Sequence, residues 1–270
     1  MKQWVVVTGG GSGIGRMLVQ KYSQTHHVLT CGRRLAALET TKAGAMDPSK
    51  VTVVEADIAK ADDRQKFTRV ILEEENSQVY LLVQNAAIGD PAQNIASMDP
   101  THLEYAFQVN VVAPLALVQL LLPALQRARQ HTAKSGRVLH LGTSVAHTPQ
   151  PGTLTYGVTK LAFYRLYQQL NVEGIVCGSL SPGLVDTEGV RDHVDKARAC
   201  GLPHVEFFDR ALAPENDNHS VTTDPNQLFE FIQELMQMDD ATFSSKEWRF
   251  REWRSKVGKS KTATSAVYSS

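Results

Sequence analysis

Thr8-Gly9-Gly10-Gly11-Ser12-Gly13-Ile14-Gly15 follows a short apolar, β-branched run, Trp4 to Thr8, and leads into a segment of helical period. Glycines set so densely between a strand and a helix let the backbone turn tightly. They also bring bare N–H groups and the positive helix end against a pyrophosphate. Gly9, Gly13 and Gly15 are spaced G-x-x-x-G-x-G, which differs from the G-x-G-x-x-G of the general dinucleotide fingerprint. A turn that is merely tight does not require so many glycines. Gly9, Gly11, Ser12, Gly13, Ile14 and Gly15 are therefore candidate cofactor contacts.

Outward from this turn, β-branched runs alternate with helical periods, the rhythm of βαβ units. Strands are expected at Trp4–Thr8, His27–Cys31, Val51–Glu55, Val79–Gln84, Arg137–Leu141 and Ile175–Ser181. Helices are expected near Ile14–Ser23, Leu35–Ala43, Asp62–Glu75, Leu103–Arg129, Tyr156–Gln169 and Pro225–Met238. The fold class that follows is α/β, a doubly wound Rossmann-type, mainly parallel β-sheet with helices on both faces. One domain spans 1–254. It is interrupted near 186–224 by a polar segment without regular pattern, read as a substrate lid carrying His193, His204, Phe207, Phe208 and His219. Phe207-Phe208 either lines an apolar pocket or anchors the lid. The Ser/Thr/Lys-rich stretch 255–270 is expected to be a disordered tail.

Composition narrows the partners. Among 270 residues, Lys plus Arg and Asp plus Glu both number 28, so no basic field marks a nucleic-acid binder. Cys31, Cys177 and Cys200 form no C-x-x-C pair, and no H-E-x-x-H or comparable cluster indicates a metal. The first apolar run is too short for a signal sequence. The longest, Val109 to Leu125, is interrupted by Asn110, Pro114, Gln119 and Pro123 and reads as short of a membrane span. A cytoplasmic protein with no membrane partner is expected.

Where an NAD site would place a carboxylate for the ribose 2′-hydroxyl, strand two ends in Cys31-Gly32-Arg33-Arg34. Two guanidiniums suit a 2′-phosphate, so the reading is NADP(H) over NAD(H). Further on, Tyr156 and Lys160 stand four residues apart, on one face of a helix. Moving a phenol from its reference pKa of ~10 to ~7 takes about 4 kcal/mol. One ammonium at ~4 Å and an effective dielectric of ~20 supplies about that much.

These motifs, in this order, resemble the short-chain dehydrogenase/reductase family over roughly residues 3 to 190. Asp57-Ile58 resembles the pair that holds the adenine there. Gln84-Asn85-Ala86-Ala87 resembles the Asn-Asn-Ala-Gly turn, and Asn110 matches the helix asparagine of a water relay. Pro182-Gly183-Leu184-Val185-Asp186-Thr187 resembles the segment that contacts nicotinamide. By the resemblance, Asn85, Ala86, Ala87, Pro182, Gly183, Val185 and Thr187 join the cofactor set, as do Tyr156 and Lys160. Counting seven residues from Gly136 and thirteen back from Tyr156 selects Thr143 as the catalytic hydroxyl, with Ser144 one residue too far along as the alternative.

The resemblance implies hydride transfer between nicotinamide and a small carbonyl or alcohol, with Tyr156 as general acid. Thr143 would hold the same oxygen, Lys160 would depress the tyrosine and hold the ribose, and Asn110 would support the relay. It also implies a homodimer through the helices near 103–129 and 156–169. The look is similar to the sepiapterin and carbonyl/benzil reductase branch. A catalytically silent dinucleotide sensor or scaffold is the alternative from another class.

Overall fold

In the computed structural model, residues 2–89, 92–132, 134, 136–213 and 222–256 are described. In chain order, β1 (Gln3–Thr8), α1 (Gly13–Tyr22), β2 (His27–Gly32), α2 (Leu35–Ala43), β3 (Val51–Glu55), α3 (Ala61–Leu72) and β4 (Gln78–Gln84) form the first half. The second half holds α4 (Pro100–Phe107), α5 (Ala113–His131), β5 (Arg137–Leu141), α6 (Leu154–Val172) and β6 (Cys177–Ser181). After these come α7 (Glu188–Ala199), α8 (Val205–Ala211), α9 (Pro225–Gln237), α10 (Asp240–Ser244) and β7 (Glu247–Arg249).

All sheet pairings are parallel, in the order β3-β2-β1-β4-β5-β6-β7. The order reverses between β1 and β4, and their carboxyl ends open the crevice where such sheets bind ligands. Side chains alternate across the strands. Trp4, Val6, Leu29 and Leu82 join one core with α3, α5 and α6, while Val5, Val7, Leu81 and Val83 join a second core with α1 and α9. Helix α9 shows the local logic. Pro225 opens it, Asp224 caps it by accepting from the Asn226 and Gln227 amides at 2.8 and 2.9 Å, and Leu228, Phe231, Ile232, Leu235 and Met236 form its buried stripe.

Three expectations are corrected. The polar segment after 186 holds two helices. Its stripe is only Val190, Val194 and Ala197 amid charges, and with Ala92, Leu202, Val205, Phe208 and Leu212 it closes a small third core. His219 and the stretch 257–270 lie outside the described residues, and Ser255 and Lys256 continue a helical run from Phe250. Second, the helix through 103–129 is unbroken from Pro100 to His131, 32 residues, long and apolar enough by composition to cross a membrane. Half of its most apolar window is buried in the protein. Pro114 falls just after a π-turn at Gln108–Val112, and Pro123 is accommodated inside α5. Third, β7 adds a strand. Its three residues, two of them charged, carry no strand signal, and it forms because the β6 edge is open to pairing.

The C-terminal elements are fastened by Arg137. Its guanidinium is fully buried, bonds Asp240 Oδ1 at 2.8 Å and the Met236 and Met238 carbonyls, and lies 4.9 Å from the Phe243 ring.

Candidate functional site

The glycine turn sits at the carboxyl end of β1. Gly9 and Gly13 adopt φ of 72° and 51°, which side chains other than glycine rarely tolerate. A β-carbon at Gly10 would stand 2.0 Å from the Thr30 hydroxyl oxygen, and one at Gly15 would stand 2.2 Å from the Gly9 carbonyl. The close packing of the turn against β2 and of α1 against the turn therefore leaves no room for a side chain at either position. Ser12 precedes α1 in extended conformation without capping it, and no acid lies in its first turn. That helix end is accordingly suited to an anion, and the cradle fits a dinucleotide pyrophosphate.

Around the cradle, Asn85 donates to the Thr8 and Gly9 carbonyls at 2.8 and 3.2 Å. The Thr8 hydroxyl accepts from the Asn85 and Ala86 amides. Arg33 and Arg34 are both exposed at the β2 end. Glu188, at the start of α7, lies 3.0 Å from Arg16 and 4.0 Å from Arg34. Asp57 accepts from the Ala59 amide and from the Tyr105 hydroxyl, and Ile58 is buried. Thr187 caps α7 and stands over Gly13. Gly183 turns at φ 76°, where Thr223 donates to the Pro182 carbonyl at 2.7 Å. Val185 is buried in the second core.

Tyr156 lies in the first turns of α6, with Gly89 from the turn after β4 against its ring: a β-carbon there would come 3.3 Å from Cδ2. Its phenol is raised above its ordinary value by burial, an effect opposed by a hydrogen bond with Thr143. Ser144 is exposed. Asn110 occupies the π-turn. Its side chain exchanges hydrogen bonds with both backbone groups of Ile88, at 2.9 and 2.8 Å, and donates to Thr159 at 2.8 Å. These three bonds tie the turn after β4 to α6. The Asn110 carbonyl cannot accept from residue 114, as it would in an α-helix, because proline has no N–H.

Lys160 is buried one turn beyond Tyr156. Its ammonium donates to the Leu141 carbonyl at 2.7 Å, over the Phe163 ring at 4.3 Å and 5.9 Å from the Tyr156 ring. Burial pulls it down to about 7, and the charge of Glu247 opposes that fall. Against the expectation that Lys160 would depress the tyrosine, the phenol is raised, because burial dominates and only Thr143 opposes it.

The short chain dehydrogenase profile matches residues 3–198. The chain belongs to that family. Short chain dehydrogenase penD of Penicillium thymicola is 30% identical over 169 residues, 58% of each chain, so the chain spans about three fifths of that relative's length. An uncharacterized oxidoreductase of Staphylococcus saprophyticus is 28% identical over 219 residues, covering 78% of this chain and 85% of that one. The fold is that of a short chain dehydrogenase/reductase structure from Saccharomyces cerevisiae, with a TM-score of 0.77 at 20% identity, covering 93% of this chain and 96% of that one.

Within this short-chain dehydrogenase, sequence reasoning missed several site residues. Thr8 carried one faint signal, a hydroxyl ending an apolar strand. Gly89 and Glu188 carried none. Glu247 carried none either, lying between a short helix and the C-terminal stretch without a recognisable motif.

Proposed function

We propose that the chain is an NADP(H)-dependent oxidoreductase that moves a hydride between nicotinamide and a small carbonyl or alcohol, acting as a ketone or aldehyde reductase. What carries this is the placing of Tyr156 where the Thr143 hydroxyl acts on its phenol, with buried Lys160 one turn further along α6. Burial keeps the phenol protonated at neutral pH, the form a general acid needs to quench a developing alkoxide. Thr143, held at the mouth of a short helical turn where its Oγ1 accepts from the Val145 amide, can share the same substrate oxygen. The glycine cradle and the uncapped α1 end would hold the pyrophosphate, and Asn85, Pro182, Gly183 and Thr187 would line the nicotinamide half. The bound dinucleotide supplies the hydride.

Arg33 and Arg34, exposed at the β2 end, support the 2′-phosphate reading and hence NADP(H). Tyr105, Val112, Leu115, Val158 and Leu161, exposed on α4, the π-turn, α5 and α6, support a homodimer through these helices. Membership near the sepiapterin and carbonyl/benzil reductases rests on the segment from Ser181 to Thr187.

NADPH oxidation against diketones, quinones and pterins tests the reading. Tyr156→Phe should lower kcat by about 10²–10⁴-fold while NADPH binding, followed by its fluorescence, persists. Thr143→Ala should share that loss and Ser144→Ala should not. Turnover that survives Tyr156→Phe would require another proton donor. Tight NADPH binding without any turnover in the wild type would favour the sensor reading. Replacing Arg33 and Arg34 by serine should cut the preference for NADPH over NADH by at least tenfold, a ratio read directly from the two kcat/KM values.

A further inference from the structure

Glu247 is the one carboxylate that the last strand carries into the sheet, and its side chain is only 6% exposed. It reaches the interior because of Gly142. A β-carbon at residue 142 would stand 2.6 Å from Glu247 Oε1, so the bare glycine lets the carboxylate lie directly against the end of β5. The register places it well. Glu247 is level with Ser179 on β6, which is level with His140 on β5, and the Gly142 amide bonds the Leu180 carbonyl at 2.7 Å. Leu141, just before Gly142, offers the carbonyl that receives Lys160. The ammonium and the carboxylate thus flank the same short stretch at the end of β5.

We propose that Glu247 is the counter-ion of Lys160, a positioning residue that keeps the ammonium charged inside the sheet. This rests on the proposed hydride-transfer reading for the purpose of the charge, though not for its existence. A lysine so far from water loses its proton readily unless a negative charge stands nearby. The groups facing Lys160 from the packed elements are Tyr156 and Phe163 on α6, the Leu141 carbonyl, and His140 on β5. His140 has no hydrogen-bond partner at either ring nitrogen and is driven down to about 3, first by burial and then by the Lys160 charge, so it stays neutral. Beyond these, Glu247 on β7 is the carboxylate whose charge acts on Lys160.

The carboxylate has its own surroundings. His147 Nε2 stands 3.2 Å from Oε2 and Arg249 Nε 3.8 Å from it, Ser179 lies 3.5 Å from Oε1, and Tyr167 on α6 feels its charge. Burial raises Glu247, while the charges of His147 and Arg249 and the hydrogen bonds from His147 and Ser179 oppose that rise and favour the carboxylate form.

The test is the titration of Lys160 in the whole protein, followed through the side-chain carbon resonance of isotopically labelled lysine and assigned with Lys160→Met. Glu247→Gln should move the Lys160 midpoint down by about one pH unit. Glu247→Asp keeps the charge and should stay within about half a unit of wild type, whatever either variant does to Tm. In turnover, Glu247→Gln should shift the alkaline limb of kcat/KM to lower pH by the same amount, so that the loss relative to wild type grows from pH 6 to pH 8. A midpoint that stays put in Glu247→Gln, or one that falls equally in Glu247→Asp, overturns the assignment. A wild type that titrates as predicted yet reduces no carbonyl would remove the proposed function and leave the counter-ion intact.

Discussion

Arg137 on β5 and Lys160 on α6 are both buried cations, and each faces a carboxylate from the C-terminal part of the chain. Arg137 touches its partner: Asp240 takes two of its N–H groups, and the Met236 and Met238 carbonyls take more. Lys160 touches a backbone carbonyl and feels Glu247 without a direct ion pair. A fixed fork fully occupied by acceptors has no choice of protonation state, which suits a fastening. An ammonium held near the threshold of losing its proton suits chemistry. The same α/β frame thus uses burial once to hold α9 and α10 on the sheet and once to tune a reactive helix.

The contrast can be broken most severely at Asp240. Asp240→Asn should cost ~2–3 kcal/mol in urea unfolding, less than for a fully buried pair because the two methionine carbonyls still receive Arg137. Arg129, the half-exposed second partner of Asp240 at 2.6 Å, should matter less, with Arg129→Met costing ~0.5–1 kcal/mol. Turnover per folded molecule should survive both changes. The two regions should also differ in their dependence on pH. Burial would raise Asp240, yet its hydrogen bonds from Arg129 and Arg137 hold it below the usual carboxylate range. Its stabilising contribution is therefore present above the unfolded carboxylate pKa of ~3.9 and is lost as pH falls through the lower folded value.

Lys160 shares that direction but acts in an alkaline window, because its charged form is the one that burial penalises. Its folded value of about 7 lies below its unfolded one, so between these the unfolded chain binds the extra proton and stability rises with pH. The unfolding free energy of wild type, minus that of Lys160→Met, should climb by at most ~1.4 kcal/mol per pH unit from pH 7 to 10. Subtraction cancels the buried thiols and phenols, which titrate in the same range and are present in both proteins. A flat difference would mean that Lys160 is not desolvated as the fold implies.

Much of the frame was legible because its signals are local. The glycine turn, two strand boundaries to the residue (Val51–Glu55 and Arg137–Leu141) and the Tyr156–Lys160 spacing follow from short-range backbone geometry and periodicity. The seventh strand was not legible, since Glu247-Trp248-Arg249 forms a strand only through an edge offered from far away in sequence. Helices α7 and α8 hid behind their charges, with too few apolar positions to mark a face. Pro114 and Pro123 looked like breaks, but tertiary packing carried the helix through both. Lys160 was legible as a candidate, yet the sense of its pKa depended on burial, which no spacing reveals.

Gly142 and Glu247 have a consequence for descent as well as for chemistry. Since a β-carbon at 142 would press on the end of the Glu247 side chain, a change at one position shifts the carboxylate carried by the other. A lineage that gains alanine at 142 would push that carboxylate aside, and with it the charge that faces Lys160. Two residues far apart in the gene are thereby coupled through the space of one missing methyl group.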